Sequence, residues 1–297
     1  MDIKVEQNVA LSQFTTYNVG GPAKLFARAD DWKQMFGLRE FAKKQGVPFF
    51  ILGGGSNVIF ADEGYPGLVI LNNMNKIRLH THSVTAESGA LLSKAVIFAA
   101  RHNLGGVSGL AGVPGSIGGA VYGNVGVPDV WIGDVFMHAE ILPTDGNGPI
   151  IVGPEYCQFG YRTSRFKRTN DIILSATLKL KPTPAPAIQA EINEYIKSRT
   201  LKQPTGLSCG SFFKNPGQFP SAGWLIDQAG CKGMKVGGAQ VSEKHANFIM
   251  NTGNAKASDI IELARRVYKK VDEKFNILLE PEVQILPKNP FRYIVSH

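Results

Sequence analysis

Between Asp31 and Gly46, apolar residues recur at helical spacing: Trp32, Met35, Phe36 and Leu38 to Phe41. Gly46 and Pro48 close the run, so a helix is expected over this span. Phe49-Phe50-Ile51-Leu52 follows as a short, wholly apolar strand. It runs into Gly53-Gly54-Gly55-Ser56-Asn57 and then Val58-Ile59-Phe60. Helix, strand, glycine loop and strand together form an α/β unit. A second helix is expected from Leu91 to His102, with Leu92, Ala95, Val96 and Ala99 on one face. After it comes a long glycine-rich stretch, Gly105 to Gly126, containing Gly112-Val113-Pro114-Gly115-Ser116-Ile117-Gly118-Gly119-Ala120.

Strand patterns then dominate, at Ala139 to Leu142 and Ile172 to Leu180, with Thr144 to Gly148 as a hairpin turn. Alternating prolines in Lys181 to Ala187 mark a stiff linker without regular structure. Ile188 to Arg199 and Ala222 to Gln228 read as helices. So does Ser258 to Phe275, with Ser258 as N-cap and a stripe of Ile260, Ile261, Leu263, Ala264, Val267, Tyr268 and Val271. Ile277 to Leu286 reads as a terminal strand. There is no internal repeat.

At 297 residues, 43% hydrophobic and 19% charged, the chain can bury a core in two or three domains and is not disordered. No 18-residue apolar run and no basic-then-apolar leader occur, so neither a membrane span nor a secretion signal is expected. Cys157, Cys209 and Cys231 have unrelated spacings and fit reduced thiols in a cytoplasm rather than a disulfide frame or zinc site. His245 has no Cys or His at ligand spacing, so no metal is expected. The net charge of +8 suits nucleic acid or a small, highly anionic ligand. The basic residues are dispersed with no reading helix, which favours the anionic ligand.

The most informative run is Cys209-Gly210-Ser211-Phe212-Phe213-Lys214-Asn215-Pro216. A structural turn needs its Gly and its Pro, but not Ser, Lys and Asn together. The two glycine loops lack the Rossmann and Walker spacings. They either make tight turns only, or form nests of backbone N–H groups that clamp a pyrophosphate from two sides.

Gly53 to Asn57, Gly112 to Ala120, Tyr161-Arg-Thr-Ser-Arg-Phe-Lys167, Gly210 to Pro216 and Leu279-Glu-Pro-Glu-Val283 occur in one order along nearly the whole chain. Phe14 to Gly21, Gly238 to Ser242 and His245-Ala-Asn247 add to the set. Together they resemble the UDP-N-acetylenolpyruvoylglucosamine reductase family. The resemblance implies an α+β protein with an FAD-binding fold of the vanillyl-alcohol-oxidase-like (PCMH) type and a smaller C-terminal α/β substrate domain. The expected lobes are 1–72, 73–182 and 188–282, with a strand in 283–297 returning to the first. FAD, held non-covalently, would lie against Gly53, Gly54, Gly55, Ser56, Asn57, Gly112, Pro114, Gly115, Ser116, Gly118 and Gly119, with Arg199 near flavin or phosphate. NADPH would be the reductant, and an enolpyruvyl ether of UDP-N-acetylglucosamine the substrate. A cytoplasmic monomer or weak oligomer is expected, with no nucleic acid partner and no membrane insertion.

The resemblance also implies three catalytic residues. Arg162 is a cationic fork for the substrate carboxylate, Ser211 a proton donor and Glu282 a catalytic carboxylate. Glu280, two residues away, is not separated from Glu282 by spacing alone. Tyr161, Lys202, Lys214 and Asn215 are the candidates for the sugar nucleotide. Only 48 residues separate Arg162 from Ser211, as in the subtype that lacks an extra tyrosine loop. The run Gly123 to Pro128 departs from the family pattern, and Asn124 is given no role. Competing readings are an oxidase of the same flavin fold and a non-catalytic nucleotide-binding module, which would need no Arg162, Ser211 and Glu282 set.

Overall fold

The computed structural model describes residues 4–288 and Phe291. The part of the expected returning strand at 289–290 and 292–297 lies outside the described residues. The chain divides into two compact units: Met1–Glu6, Phe26–Gly54 and Gly67–Arg199 form the first, and Gln7–Leu25, Gly55–Pro66 and Thr200–His297 the second.

In the first unit, α1 (Trp32–Gln45) has the limits its sequence dictates. Asp31 accepts the Gln34 N–H at 2.8 Å as N-cap, and Gly46 ends the helix in the left-handed region at φ 62°. The strand Phe49–Leu52 pairs in parallel with Tyr65–Asn72, in a register that sets Leu52 against Leu71. The first glycine loop therefore leaves directly from a strand end. A five-stranded sheet runs in the order Ile150–Val152, Phe136–Leu142, Ile172–Lys179, Ser83–Glu87, Ile77–His80. The expected turn at 144–148 joins the first two of these. α2 (Leu92–Arg101) buries Leu92, Ala95, Val96 and Ala99, the predicted face. It shares a core with Ile117, Ala120, Val121, Ala139, Ile141, Ala176 and Leu178.

Two expectations are corrected here. The glycine-rich stretch is not loop throughout, because α3 (Ile117–Gly123) begins inside it. Ser116 caps that helix and Asn124 ends it at φ 44°. Short helices α4 (Ile132–Val135) and α5 (Pro154–Cys157) follow. The proline stretch 181–187 is not irregular either. Lys181–Pro182 pairs with Leu104–Gly105, and α6 (Ala185–Lys202) starts before the stretch ends. Pro186 stands in the first turn, where a backbone N–H has no intrahelical acceptor to lose. The side chain of Asn103 takes the Ala185 N–H at 3.0 Å.

In the second unit, α7 (Ala222–Gln228) and α8 (Ala257–Phe275) share a core with the strands Ala239–Val241 and Ile249–Asn251 and with Phe212 and Phe213. The α8 stripe is buried at Ile260, Leu263, Ala264, Val267, Tyr268 and Val271. Its start differs from expectation, since Ser258 lies inside the helix and Lys256 is the N-cap. Asp62 accepts the N–H groups of Ala257 and Ser258 at 2.8 and 3.1 Å, so a distant carboxylate does the work assigned to the serine. The terminal strand is shorter than expected. Only Gln284–Leu286 is regular, in parallel with Val58–Phe60, because Pro281 lacks the N–H that would carry a ladder onward. No helix among the described residues is long and apolar enough to cross a membrane.

Candidate active site

The start of the first glycine loop packs against the second glycine loop. A Cβ on Gly53 would sit 2.3 Å from Ser116 Oγ, and one on Gly54 would sit 3.0 Å from Gly115 Cα. Side chains are therefore excluded where the two backbones meet. Among the described residues, no acceptor takes the N–H of Gly54, Gly115 or Ser116. This is the donor set a pyrophosphate requires, so these residues fit FAD. The α3 residues contribute differently. The N–H groups of Gly118 and Gly119 go to Ser88 O and Ser116 Oγ, so their contribution is helix packing. Arg199 lies along the second loop, with its Cδ 2.9 Å from where a Gly112 Cβ would be. Burial pulls its guanidinium below the usual range. Pro114 is exposed in the same loop.

The remaining residues of the first loop belong to the second unit. Gly55 has φ 63° and no room for a Cβ, which would meet Phe14 O. Ser56 is half-buried. Asn57 donates through Nδ2 to Glu282 O at 3.2 Å, and its carbonyl takes the Gln284 N–H.

In the first unit, Gly160 to Thr163 closes a tight turn through reciprocal backbone bonds of 3.1 and 3.3 Å. Arg162 occupies its third position at φ 54°, a conformation that turns reserve for Gly or Asn. A long side chain held there is strained backbone of the kind found at functional sites. The guanidinium lies 5.1 Å from the Trp131 ring centre and 5.9 Å from that of Tyr161, whose rings meet edge to face at 5.7 Å. Lys167 Nζ donates to Arg162 O at 2.8 Å. Asn124, given no role from the sequence, braces this turn from the end of α3. Its Nδ2 donates to Gly160 O and its Oδ1 accepts the Gly133 N–H, both at 2.9 Å. Its departure into the left-handed region was legible only as an Asn after a glycine.

In the second unit, the serine loop and the Glu282 segment form one backbone construction. Lys214 N–H donates to Glu280 O and Glu282 N–H to Phe212 O, each at 2.8 Å, around a bridge between Phe213 and Pro281. Ser211 and Glu282 are both half-buried beside it. Lys214 Nζ lies 2.5 Å from Glu280 Oε1, so Glu280, the carboxylate that spacing could not rank, is the lysine's partner. Asn215 is exposed and uses Oδ1 to accept the Ala222 N–H at 3.0 Å, fixing the loop to the start of α7. Lys202 is exposed at the end of α6. His245 packs over Gly223, where a Cβ would lie 3.0 Å from Cε1. Burial, helped by Lys232, holds its imidazole below the usual range despite its own backbone hydrogen bond. All three cysteines are buried free thiols, and burial pushes Cys209 up to about 12.

Residues 202–286 match the family profile described as UDP-N-acetylenolpyruvoylglucosamine reductase, C-terminal domain, and residues 23–147 match an FAD binding domain. The chain is 38% identical over 288 residues to UDP-N-acetylenolpyruvoylglucosamine reductase of Trichormus variabilis, covering 95% of this chain and 86% of the relative. The chain belongs to the UDP-N-acetylenolpyruvoylglucosamine reductase family. The family's enzyme from Caldicellulosiruptor bescii is 40% identical over 282 residues, covering 93% of this chain and 88% of the relative. The crystal structure of the Thermus caldophilus reductase superposes with a TM-score of 0.83 at 36% identity, covering 96% of this chain and all of that one. As a member of this family the chain is an α+β protein, with an FAD-binding fold of the vanillyl-alcohol-oxidase-like type and a smaller C-terminal domain.

Proposed function

We propose that this chain is an FAD-containing, NADPH-dependent oxidoreductase that reduces the enolpyruvyl ether of UDP-N-acetylglucosamine to UDP-N-acetylmuramate. What carries the reading is family membership along nearly the whole chain. The product is a peptidoglycan precursor, so the reaction belongs in the cytoplasm, and cell shape, the cell cycle and cell division depend on it. The protein acts as a monomer or weak oligomer.

Bound FAD would supply hydride chemistry between NADPH and the substrate. The glycine loops would hold its pyrophosphate through the N–H groups of Gly54, Gly115 and Ser116, with Arg199 adding positive charge. No His or Cys stands in either loop, so the attachment is non-covalent. Reduction of the substrate's double bond at its terminal carbon leaves negative charge on the adjacent carbon, which spreads into the carboxylate. Arg162 pairs with that carboxylate through a fixed, planar fork. The turn and the two aromatic rings hold the guanidinium before substrate arrives, so little orientation is lost on binding. The Ser211 hydroxyl gives its proton to the charged carbon, forming the new C–H bond. Glu282 hydrogen-bonds the developing enolate or relays a proton to it. Lys202, Lys214, Asn215 and Tyr161 hold the sugar and diphosphate, which requires Lys214 to exchange Glu280 for phosphate.

Stopped-flow absorbance of the two half-reactions tests this reading. NADPH should bleach the flavin without sugar nucleotide, and the enolpyruvyl ether should restore its colour. Ser211→Ala should slow only the second step, by about 10²–10⁴-fold, the usual loss with a general acid. Unchanged reoxidation would place the proton donor elsewhere. NADPH oxidation indifferent to the enolpyruvyl ether would overturn the proposed reaction.

A further inference from the structure

Asn247 lies in a motif that carries no assigned role, and it is only 3% exposed. Its backbone carbonyl accepts the Phe212 N–H at 2.7 Å. Its side chain makes a two-point clamp on the next residue: Oδ1 accepts the Phe213 N–H at 2.9 Å, and Nδ2 donates to Phe213 O at 2.8 Å. The carboxamide thus stands in for a neighbouring strand, offering one donor and one acceptor to one peptide residue. On the other side, Glu282 N–H donates to Phe212 O at 2.8 Å. All four backbone polar groups of Phe212 and Phe213 are therefore held, and Asn247 holds three of them.

Ser211 precedes this pinned pair. On its other side stands Gly210, at φ 75° with nothing within 4 Å of a Cβ. A glycine in open space offers little resistance to rotation. Further upstream the chain is anchored, since Ser208 O accepts from Thr16 Oγ1 at 2.7 Å and Cys209 is buried, so Phe212 and Phe213 are the anchor that adjoins Ser211 directly. The same clamp sets the segment that hydrogen-bonds Glu282.

We propose that Asn247 is a positioning residue for proton delivery, fixing Ser211 and Glu282 through the backbone of Phe212 and Phe213. This rests on Ser211 being the proton donor. Asn247→Asp keeps the volume and the bond from the Phe213 N–H, but sets a carboxylate oxygen against Phe213 O. Asn247→Leu removes both side-chain bonds.

The test uses FAD-loaded full-length protein. Misplacement of a reacting group by about 1 Å can cost about 10²-fold. Asn247→Asp is expected to slow reoxidation by the enolpyruvyl ether at least about tenfold and Asn247→Leu more, with reduction by NADPH within about twofold of wild type. Amide hydrogen exchange at Phe213 should speed up in Asn247→Leu, which removes its acceptor. In the double variant with Ser211→Ala, the two losses should be less than additive, since the Ser211 share of the Asn247→Asp effect is already gone and only the Glu282 share remains. Equal slowing of both half-reactions, unchanged reoxidation, or additive loss in the double variant would overturn the positioning role. If Ser211→Ala itself reoxidises at the wild-type rate, the donor assignment and this inference fall together. If Ser211→Ala is slow but Asn247→Asp is not, only this inference falls. Should Asn247→Leu fail to fold, Asn247→Asp carries the test.

Discussion

Gly53→Ala is the most direct perturbation of the proposed flavin cradle. The new methyl would fall 2.3 Å from Ser116 Oγ and 3.3 Å from Ser116 Cβ. The first distance is impossible, so the hydroxyl must turn away. It then gives up the Gly119 N–H, held at 3.3 Å, and with it the cap of α3. Loss of a serine cap costs about 0.5–2 kcal/mol. Crowding against Ser116 Cβ remains after the hydroxyl rotates, and overpacking of this kind costs about 1–3 kcal/mol. Roughly 1.5–5 kcal/mol then falls on the approach of the two loops, and every 1.4 kcal/mol is tenfold in affinity. FAD should bind about tenfold to several thousandfold more weakly. The flavin-to-protein ratio after gel filtration, and titration of apoprotein by flavin fluorescence, measure this. Gly148→Ala is the control, because nothing lies within 4 Å of its Cβ. Adding Ser116→Gly to Gly53→Ala should recover part of the loss by removing the obstructing side chain. Wild-type affinity in Gly53→Ala would refute the argument. So would an equal loss in the double variant, since the Ser116 contact would then not be the cause.

Asp62→Ala removes the acceptor for the Ala257 and Ser258 N–H groups and should destabilise the protein by about 0.5–1 kcal/mol, the lower part of the capping range because the carboxylate is exposed. Burial pushes the Asp62 carboxyl up, but hydrogen bonds from Ser258 and Ala257 and the charge of Lys256 outweigh it, and the net direction is down. Its contribution is therefore complete above the unfolded value of about 3.9 and disappears as pH falls through the lower folded value. The Tm difference between wild type and Asp62→Ala should shrink below about pH 3.9; a constant difference would contradict this linkage. Arg162→Lys keeps the charge but loses the planar fork and its stacking on Trp131 and Tyr161. It should raise the Kd for the enolpyruvyl ether about tenfold while leaving flavin reduction by NADPH unchanged, and calorimetric titration giving a wild-type Kd would remove Arg162 from the substrate site.

Much of the fold is legible because periodicity and end signals act over one or two turns. The limits of α1 follow from Asp31 and Gly46, and the buried faces of α2 and α8 follow from spacing alone. The proposed site is legible as residue types on short motifs: Arg162 within Tyr161 to Lys167, and Ser211 within Gly210 to Pro216. Its support is not. Sequence offered no way to choose Glu282 over Glu280 by spacing, and the Lys214 contact with Glu280 is a fact of packing. Nor could the string show that Gly118 and Gly119 lie inside a helix, with their N–H groups taken by Ser88 and Ser116.

The sequence by itself determined where most helices and strands lie, which faces they bury, and which side chains are available for anion binding and proton transfer. These depend on neighbours a few positions apart. Only the tertiary structure decided which distant group satisfies each exposed donor or acceptor. Asp62 caps a helix 195 residues away, Asn103 completes the first turn of α6, Asn124 braces the Arg162 turn, and Asn247 clamps Phe213 from 34 residues away. A backbone N–H needs an acceptor at about 3 Å but places no condition on where in the chain that acceptor comes from. Local sequence states the need, and only the folded chain shows which residue meets it.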